Sequence, residues 1–211
     1  MQPKKQYYEN AAKTVIKNME KRGIHGYYCD SKENAVEQVL KLLPPQGVVG
    51  CGSSQTINQT GVLNAVVQAG LTLIDKKAAR TPEEKLAVYA KTICSDCYFM
   101  STNAFTLEGE LVNIDQTGSR VSCLMKGPRQ VFILAGMNKL AADVNSAVLR
   151  IRNQAAPSET VRLGCQTPCS ITGRCNDCLS ADCICGHLVV TRYSSQKDRI
   201  HVILIGEELG F

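Results

Sequence analysis

The spacing of apolar residues switches repeatedly along the chain between a helical and a strand period. Ala11, Ala12, Val15, Ile16 and Met19 recur at three- and four-residue intervals, and Lys21-Arg22-Gly23 supplies the basic last turn and glycine stop of an amphipathic helix. Ser31 caps a second helical stripe of Ala35, Val36, Val39, Leu40 and Leu43, which Pro44-Pro45 closes. The period then shortens. Residues 48–51 read as a buried strand, the turn GCGSSQT follows, a helix runs from it to Gly70, and residues 71–74 form the next strand. Thr81-Pro82-Glu83-Glu84 combines an N-cap, a proline at the first helical position and a capping-box glutamate, so a helix is predicted from Pro82 to about Cys94.

The alternation continues with a strand at residues 98–101 and a hairpin in FTLEGELVNID, turning near Glu108-Gly109. A short helix over 120–126, a strand over 131–135 and a helix over about 141–153 come next. Ala155-Ala156-Pro157-Ser158 reads as a boundary. The segment after it has too few periodic apolar residues for a regular element, and strands over 188–192 and 201–205 end the chain. Helices alternating with short apolar strands predict an α/β fold with a mainly parallel sheet, helices on both faces and right-handed crossovers. The expected organisation is an α/β core over 1–156, a cysteine-rich segment over 157–187, and strands in 188–211 that complete the core. At 211 residues and 44% hydrophobic composition, the chain buries a core without needing covalent staples.

Charge adds little. The net +5 is spread along the chain without a basic run or interleaved aromatics, and there is no tryptophan, so nucleic acid is not an expected partner. The opening MQPKKQYYENAAKTV has no apolar stretch of the secretory kind, and runs such as VFILAGM are too short to span a bilayer. A cytoplasmic protein with no membrane partner is the expectation.

Cysteine changes the picture. Cys165, Cys169, Cys175, Cys178, Cys183 and Cys185 fall within CQTPCSITGRCNDCLSADCIC, and the chain total of eleven is odd. A disulfide knot would need a secreted chain lacking an adequate core. Free thiols and a metal or cluster are therefore the reading taken, and thiolates select zinc, copper(I) or iron–sulfur over magnesium or calcium.

Two further places carry candidate chemistry. The turn Gly50-Cys51-Gly52-Ser53-Ser54-Gln55-Thr56 lies between a strand and a helix, where glycines allow close backbone approach and a helix start favours an anion. It lacks the Gly-Lys-Ser/Thr of a nucleotide-binding loop, and the same residues also make an ordinary capped turn. Cys51 at its mouth is either a thiol activated by the helix start or a small buried residue. The stretch STNAFTLEGELVNIDQTGSR gathers Asn103, Thr106, Glu108, Glu110, Asn113, Asp115 and Arg120 near strand ends. Glu108 and Glu110 read as solvated hairpin carboxylates, whereas Asn113 and Asp115 are harder to assign to solvent. Cys94-Ser95-Asp96-Cys97 reads as packing thiols, and His25, His187 and His201 are too far apart to form a paired site.

Taken together, GCGSSQT, TNAFTLEGELVNIDQTGSR, VFILAGMNK, TPCSITGRCNDC and VILIGEELGF resemble the lactate-utilisation (LUD) domain family. The resemblance is to its LutC-like group and a subgroup with a cysteine-rich C-terminal segment, and it covers nearly the whole chain. It implies a Rossmann-like fold similar to the superfamily of ribose-5-phosphate isomerase, glucosamine-6-phosphate deaminase and CoA transferases. A small anionic metabolite is then expected beside Gly50, Gly52, Ser53, Ser54 and Thr56, on the backbone amides of Gly52, Ser53 and Ser54. Asn103, Asn113 and Asp115 should face the same cavity, with Asp115 transferring a proton and Asn103 orienting a carbonyl or carboxylate. The cysteines that match the subgroup are Cys169, Cys175, Cys178 and Cys185. Their spacing suits either a [4Fe–4S] cluster or zinc, and the family's link to lactate oxidation favours the cluster, with iron–sulfur redox proteins as partners. Two functions stand side by side: a protein of lactate or organic-acid oxidation, and a metabolite-sensing module whose metal is structural.

Overall fold

A computed structural model describes residues 3–76 and 78–211. In chain order it contains α1 (Pro3–Lys21), β1 (His25–Cys29), α2 (Lys32–Leu42), β2 (Val48–Cys51), α3 (Gln55–Thr60), α4 (Val62–Gln68) and β3 (Thr72–Leu73). Then come α5 (Pro82–Ile93), β4 (Cys97–Met100), β5 (Ala104–Thr106), β6 (Leu111–Asp115), α6 (Ser119–Met125) and β7 (Gln130–Gly136). A 3-10 turn (Met137–Lys139) leads to β8 (Leu140–Ala141), α7 (Val144–Arg150), a π-helical turn (Ile151–Ala155), α8 (Ala156–Leu163), α9 (Pro168–Thr172), β9 (His187–Thr191) and β10 (Ile200–Ile205).

The expected α/β architecture is present. Six strands pair in the order β1-β10-β7-β4-β2-β3, and every pairing is parallel. β7 and β10 lie side by side in the interior of this sheet, and both are apolar runs buried on two faces, as parallel strands between helix layers must be. Their side chains alternate. Val131, Ile133 and Ala135 pack with α1 residues Ala12, Val15 and Met19, while Phe132 and Leu134 pack with Ala35 and Val39 of α2 and Val62 and Val66 of α4. At about 1.5–3 kcal/mol for each large side chain buried, these two layers supply most of the driving force for folding.

A second sheet, in the order β8-β5-β6-β9, is mixed: β5 and β9 run antiparallel to β6, and β8 runs parallel to β5. The hairpin expected in FTLEGELVNID is its centre, and β9 joins its edge. β10, by contrast, sits deep in the first sheet, so the last two strands serve different sheets. Ala104 and Val112 of this sheet pack against Ala147, Ile151 and Ala155.

Three local outcomes differ from the apolar pattern. The helix expected to run to Gly70 breaks at Gly61, which adopts φ 67° and separates α3 from α4. The boundary expected at 155–158 is not a break: α7 continues into α8 through the π turn, which accommodates Pro157, a residue with no N–H for a regular helical bond. The strand β1 was not foreseen because HGYYC has no aliphatic alternation, yet it pairs with the whole length from His201 to Ile205.

Arg199 ties the core to a loop. Its guanidinium is buried and donates to the carbonyls of Pro128 at 3.0 Å, Leu124 at 2.6 Å and Cys123 at 2.8 Å, closing the C-terminal end of α6. Replacing Arg199 by Met leaves those carbonyls without donors, and a loss of about 2–4 kcal/mol in unfolding free energy is expected by urea denaturation. A loss under about 0.5 kcal/mol would show that water replaces the arginine.

Candidate functional site

The parallel strands β2, β4 and β7 end at one edge of the main sheet, and their C-terminal loops form a cavity of about 740 Å³ there. Gly52, Ser53, Ser54 and Thr56 come from the turn after β2, Ser101, Thr102 and Asn103 from the chain leaving β4, and Lys139 from the turn after β7. Ile151, Ala155 and Ala156 of the π-turn region add apolar wall. The turn is glycine-dependent at Gly52, where a methyl group would stand 3.0 Å from Tyr98 Oη. Ser54 caps α3 by accepting from the Ile57 amide at 3.3 Å, but α3 has only six residues, so the strongest charges at the cavity come from side chains.

Lys139 is the most unusual of these. Only 4% exposed, its Nζ donates to Thr56 Oγ1 at 2.9 Å, Ser101 Oγ at 3.0 Å and the Thr102 carbonyl at 3.3 Å. All three partners are neutral, and among the described residues no carboxylate forms an ion pair with it. Burial, reinforced by the nearby cations Arg150 and Arg120, lowers its pKa to about 7, with Glu159 opposing the shift. The C-terminal segment covers this corner: Thr56 Oγ1 donates to the Leu209 carbonyl at 3.2 Å, and a methyl group at Gly210 would stand 2.5 Å from Thr56 Oγ1 and 3.2 Å from Lys139 Nζ.

Arg120, on α6, organises the adjoining wall. Its Nη1 donates to the Ser101 carbonyl at 3.0 Å and Asn113 Oδ1 at 2.7 Å, and its Nη2 donates to Asn103 Oδ1 at 2.9 Å and the Ile114 carbonyl at 2.8 Å. Nε faces Asp115 Oδ2 at 3.4 Å. Asn103, Asn113 and Asp115 are thus brought together around one guanidinium. Asn103 and Asp115 line the cavity, whereas Asn113 is wholly buried, accepts from the Asn103 amide at 3.2 Å, and has no hydrogen-bond partner for its Nδ2. Asp115 also accepts from the Gly118 amide at 2.9 Å, which shapes the start of α6. The Cys51 thiol is pushed up by burial, the opposite of an activated thiol. Cys97 is buried and Cys94 is exposed, while Gly50 lies within β2.

Lys139 was not singled out from the sequence. Its signal was its position: the first cation after VFILAGMN, at the carboxyl end of a central parallel strand. Arg150, which donates to the Asn103 carbonyl at 2.8 Å and the Asn138 carbonyl at 3.1 Å, carried no signal beyond an arginine on an amphipathic helix.

The cysteine segment passes beside the cavity and contributes Ile184 to its wall. All eleven cysteines carry free thiols. Cys169, on α9, is buried against the hydroxyls of Thr167 at 3.2 Å and Thr160 at 3.5 Å. Cys175 Sγ accepts from Arg152 Nε at 3.2 Å and the Asp177 amide at 3.4 Å. Cys183 Sγ accepts from the Cys185 amide at 3.4 Å, and Cys178 pairs with the Ser180 hydroxyl at 3.4 Å. The Cys185 thiol is pushed up to about 12, by burial first and then by the sulfurs of Cys183, Cys175 and Cys169. Cys183 therefore lies among the four expected ligands. Among the described residues, no three His, Cys, Asp or Glu side chains stand in metal-binding geometry.

The LUD domain matches residues 12–205, nearly the whole chain. The chain belongs to the LUD domain family. Its fold is similar to that of a DUF162 family protein from Deinococcus radiodurans, known from a crystal structure. That match has a TM-score of 0.56 and 12% identity, over 94% of this chain and 98% of the other. No curated protein matches the sequence significantly. Among the described residues, no helix of this LUD domain protein is long and apolar enough to cross a membrane.

The Lys139 environment predicts a pH-dependent stability. The lysine titrates at its ordinary 10.5 in the unfolded chain and near 7 when folded, so between those values the unfolded state binds more protons. Stability should therefore rise with pH through that window, and the full burial penalty is present below it. Relative to a Lys139→Met protein, the unfolding free energy should gain on the order of a few kcal/mol across the window in urea titrations. A difference that stays flat with pH would refute the assignment.

Proposed function

We propose that this protein acts in the oxidation of lactate or a related organic acid and holds the acid's carboxylate in the cavity, between Lys139 and the turn of Gly52, Ser53 and Ser54. The observation that carries the reading is the Lys139 ammonium, buried on a cavity wall with neutral oxygens for partners. A carboxylate or phosphate entering beside it offsets the cost of burying the ammonium. Membership of the LUD domain family supports the organic-acid class, and the motif TPCSITGRCNDC supports placement in the LutC-like subgroup. In this reading Asp115 and Asn103 act mainly by holding Arg120 in place, because their acceptor oxygens are already engaged.

The reading includes a metal in the C-terminal segment, held by Cys169, Cys175, Cys178 and Cys185. The donor chemistry fits a thiophilic ion or cluster: Cys185 lies within electrostatic reach of three other sulfurs, and the N–H groups directed at Cys175 are of the kind that stabilise thiolate. A [4Fe–4S] cluster would supply one-electron transfer to an iron–sulfur partner, and zinc would supply folding energy alone. The second function, metabolite sensing with a structural metal, draws on the same cavity.

Calorimetric titration tests the anion site. Lactate, pyruvate or inorganic phosphate should bind with proton uptake above about pH 7, since the anion favours the ammonium. Lys139→Met should weaken binding by about tenfold to a hundredfold, the value of a charged hydrogen bond. Unchanged affinity in a folded Lys139→Met protein would place the ligand elsewhere. Anaerobically purified protein should carry either iron with sulfide or zinc. Alanine at Cys169 or Cys175 should release it and lower the melting temperature, and a metal-free protein of unchanged melting temperature would remove the metal from the reading.

A further inference from the structure

We propose that Lys139 is a nucleophile that forms an imine with the carbonyl of a 2-oxo acid in the cavity, an assignment that rests on the anion-binding reading above. The hydrogen bonds around Nζ hold the nitrogen in one place. The Thr56 hydroxyl directs its own proton to the Leu209 carbonyl at 3.2 Å, and the Ser101 hydroxyl directs its own to the Thr102 carbonyl at 3.3 Å. Both oxygens therefore present lone pairs to the lysine. A neutral amine keeps these two shorter bonds and gives up the contact to the Thr102 carbonyl, at 3.3 Å the longest of the three. The nitrogen is then no longer bound to the Thr102 carbonyl, and Lys139 and Thr102 both line the cavity.

The surroundings favour an amine over an ammonium. Arg150 on α7 and Arg120 on α6 are the cations that act on Nζ, and Glu159 on α8 is the carboxylate that opposes them, with the smallest effect of the three. A desolvated lysine beside other cations is the arrangement that makes an amine available as a nucleophile near neutral pH. The same charges select the substrate. An imine that takes up a proton restores a positive charge beside Arg120 and Arg150, and a carboxylate bonded directly to the reacting carbon neutralises it at the shortest possible distance. A 2-oxo acid has that carboxylate, whereas a simple aldehyde or ketone does not.

The step is balanced without an oxidant. The Nζ lone pair attacks the carbonyl carbon and the C=O π bond breaks. The oxygen gains one proton to give the carbinolamine and a second as it leaves as water, the nitrogen loses two protons, and the C=N bond forms. The Ser101 hydroxyl, 3.0 Å from Nζ, is placed to pass a proton from nitrogen.

Reductive trapping tests this on the full chain. The protein is incubated with glyoxylate, pyruvate or 2-oxoglutarate and cyanoborohydride, and the modified residue is located by peptide mass spectrometry. One adduct on Lys139 is expected, suppressed by lactate, which has the carboxylate but no carbonyl to trap. An adduct spread over exposed lysines away from the cavity, such as Lys17, or none with any of the three acids, overturns the proposal. Equilibrium dialysis without reductant separates this failure from that of the anion site. Binding without a Lys139 adduct overturns the imine alone, and absence of binding overturns both. Lys139→Arg keeps a cation and loses the nucleophile, so trapping should be lost completely in it. An adduct that survives in this variant assigns the chemistry to another lysine.

Discussion

A single guanidinium fixes the geometry of the cavity. Four of the N–H donors of Arg120 are directed at oxygens on the chain leaving β4 or on β6, and its Nε forms an ion pair with Asp115 on β6 at 3.4 Å. Those two stretches are where the polypeptide passes from the parallel sheet into the mixed one. The arginine thus sets how the two sheets meet, and Lys139 inherits that setting because Ser101 and Thr102 are two of its three partners. Removing a buried charge from such a node leaves Asp115 and the asparagine oxygens uncompensated, which costs far more than the ion pair contributes in isolation. The polar residues that a motif reading marks as chemistry are, in three dimensions, the frame around it.

How far this was legible in the sequence depends on the range of the interaction. Local signals held where the deciding contacts were local. The Thr81–Glu84 capping box, the Ser31 cap and the apolar runs of β7 and β10 all sit where their residues place them. β1 was illegible because its strand character comes from pairing with β10, some 175 residues away, and not from an apolar pattern of its own. The continuity of α7 and α8 was hidden by Pro157, which ordinarily ends a helix and here is absorbed by a π turn. In the site, the GCGSSQT turn and the Asn103–Asp115 region were legible from position at strand ends. Lys139 was not, since a lysine in sequence reads as surface, and only the tertiary structure buries it.

That burial has a cost which the fold does not need to bear for its own sake. Thr56 and Ser101 satisfy their hydroxyl protons on carbonyls, so an apolar side chain at residue 139 would leave no orphaned donor among them. A cation kept at such a place, with two arginines acting on it and no carboxylate ion-paired to it among the described residues, lowers the stability of the empty protein and raises its affinity for anything negative that fits. Structural lysines do the reverse, reaching to solvent or to a carboxylate.

The closing segments extend the same logic. Gly210 adopts φ +62° and brings backbone to within hydrogen-bonding range of the Thr56–Lys139 corner, where any larger residue would collide with both side chains. Ile184, another residue of the cavity wall, lies between Cys183 and Cys185 in the chain, so the conformation of the cysteine segment also sets the position of an apolar wall residue. Cavity and cysteine segment are therefore linked through Ile184 and through Gln116, a wall residue that donates to the Cys183 carbonyl at 3.4 Å. A displacement of Cys183 or Cys185 moves Ile184, and linkage requires that a ligand whose affinity depends on the position of Ile184 bias the conformation of the cysteine segment in return.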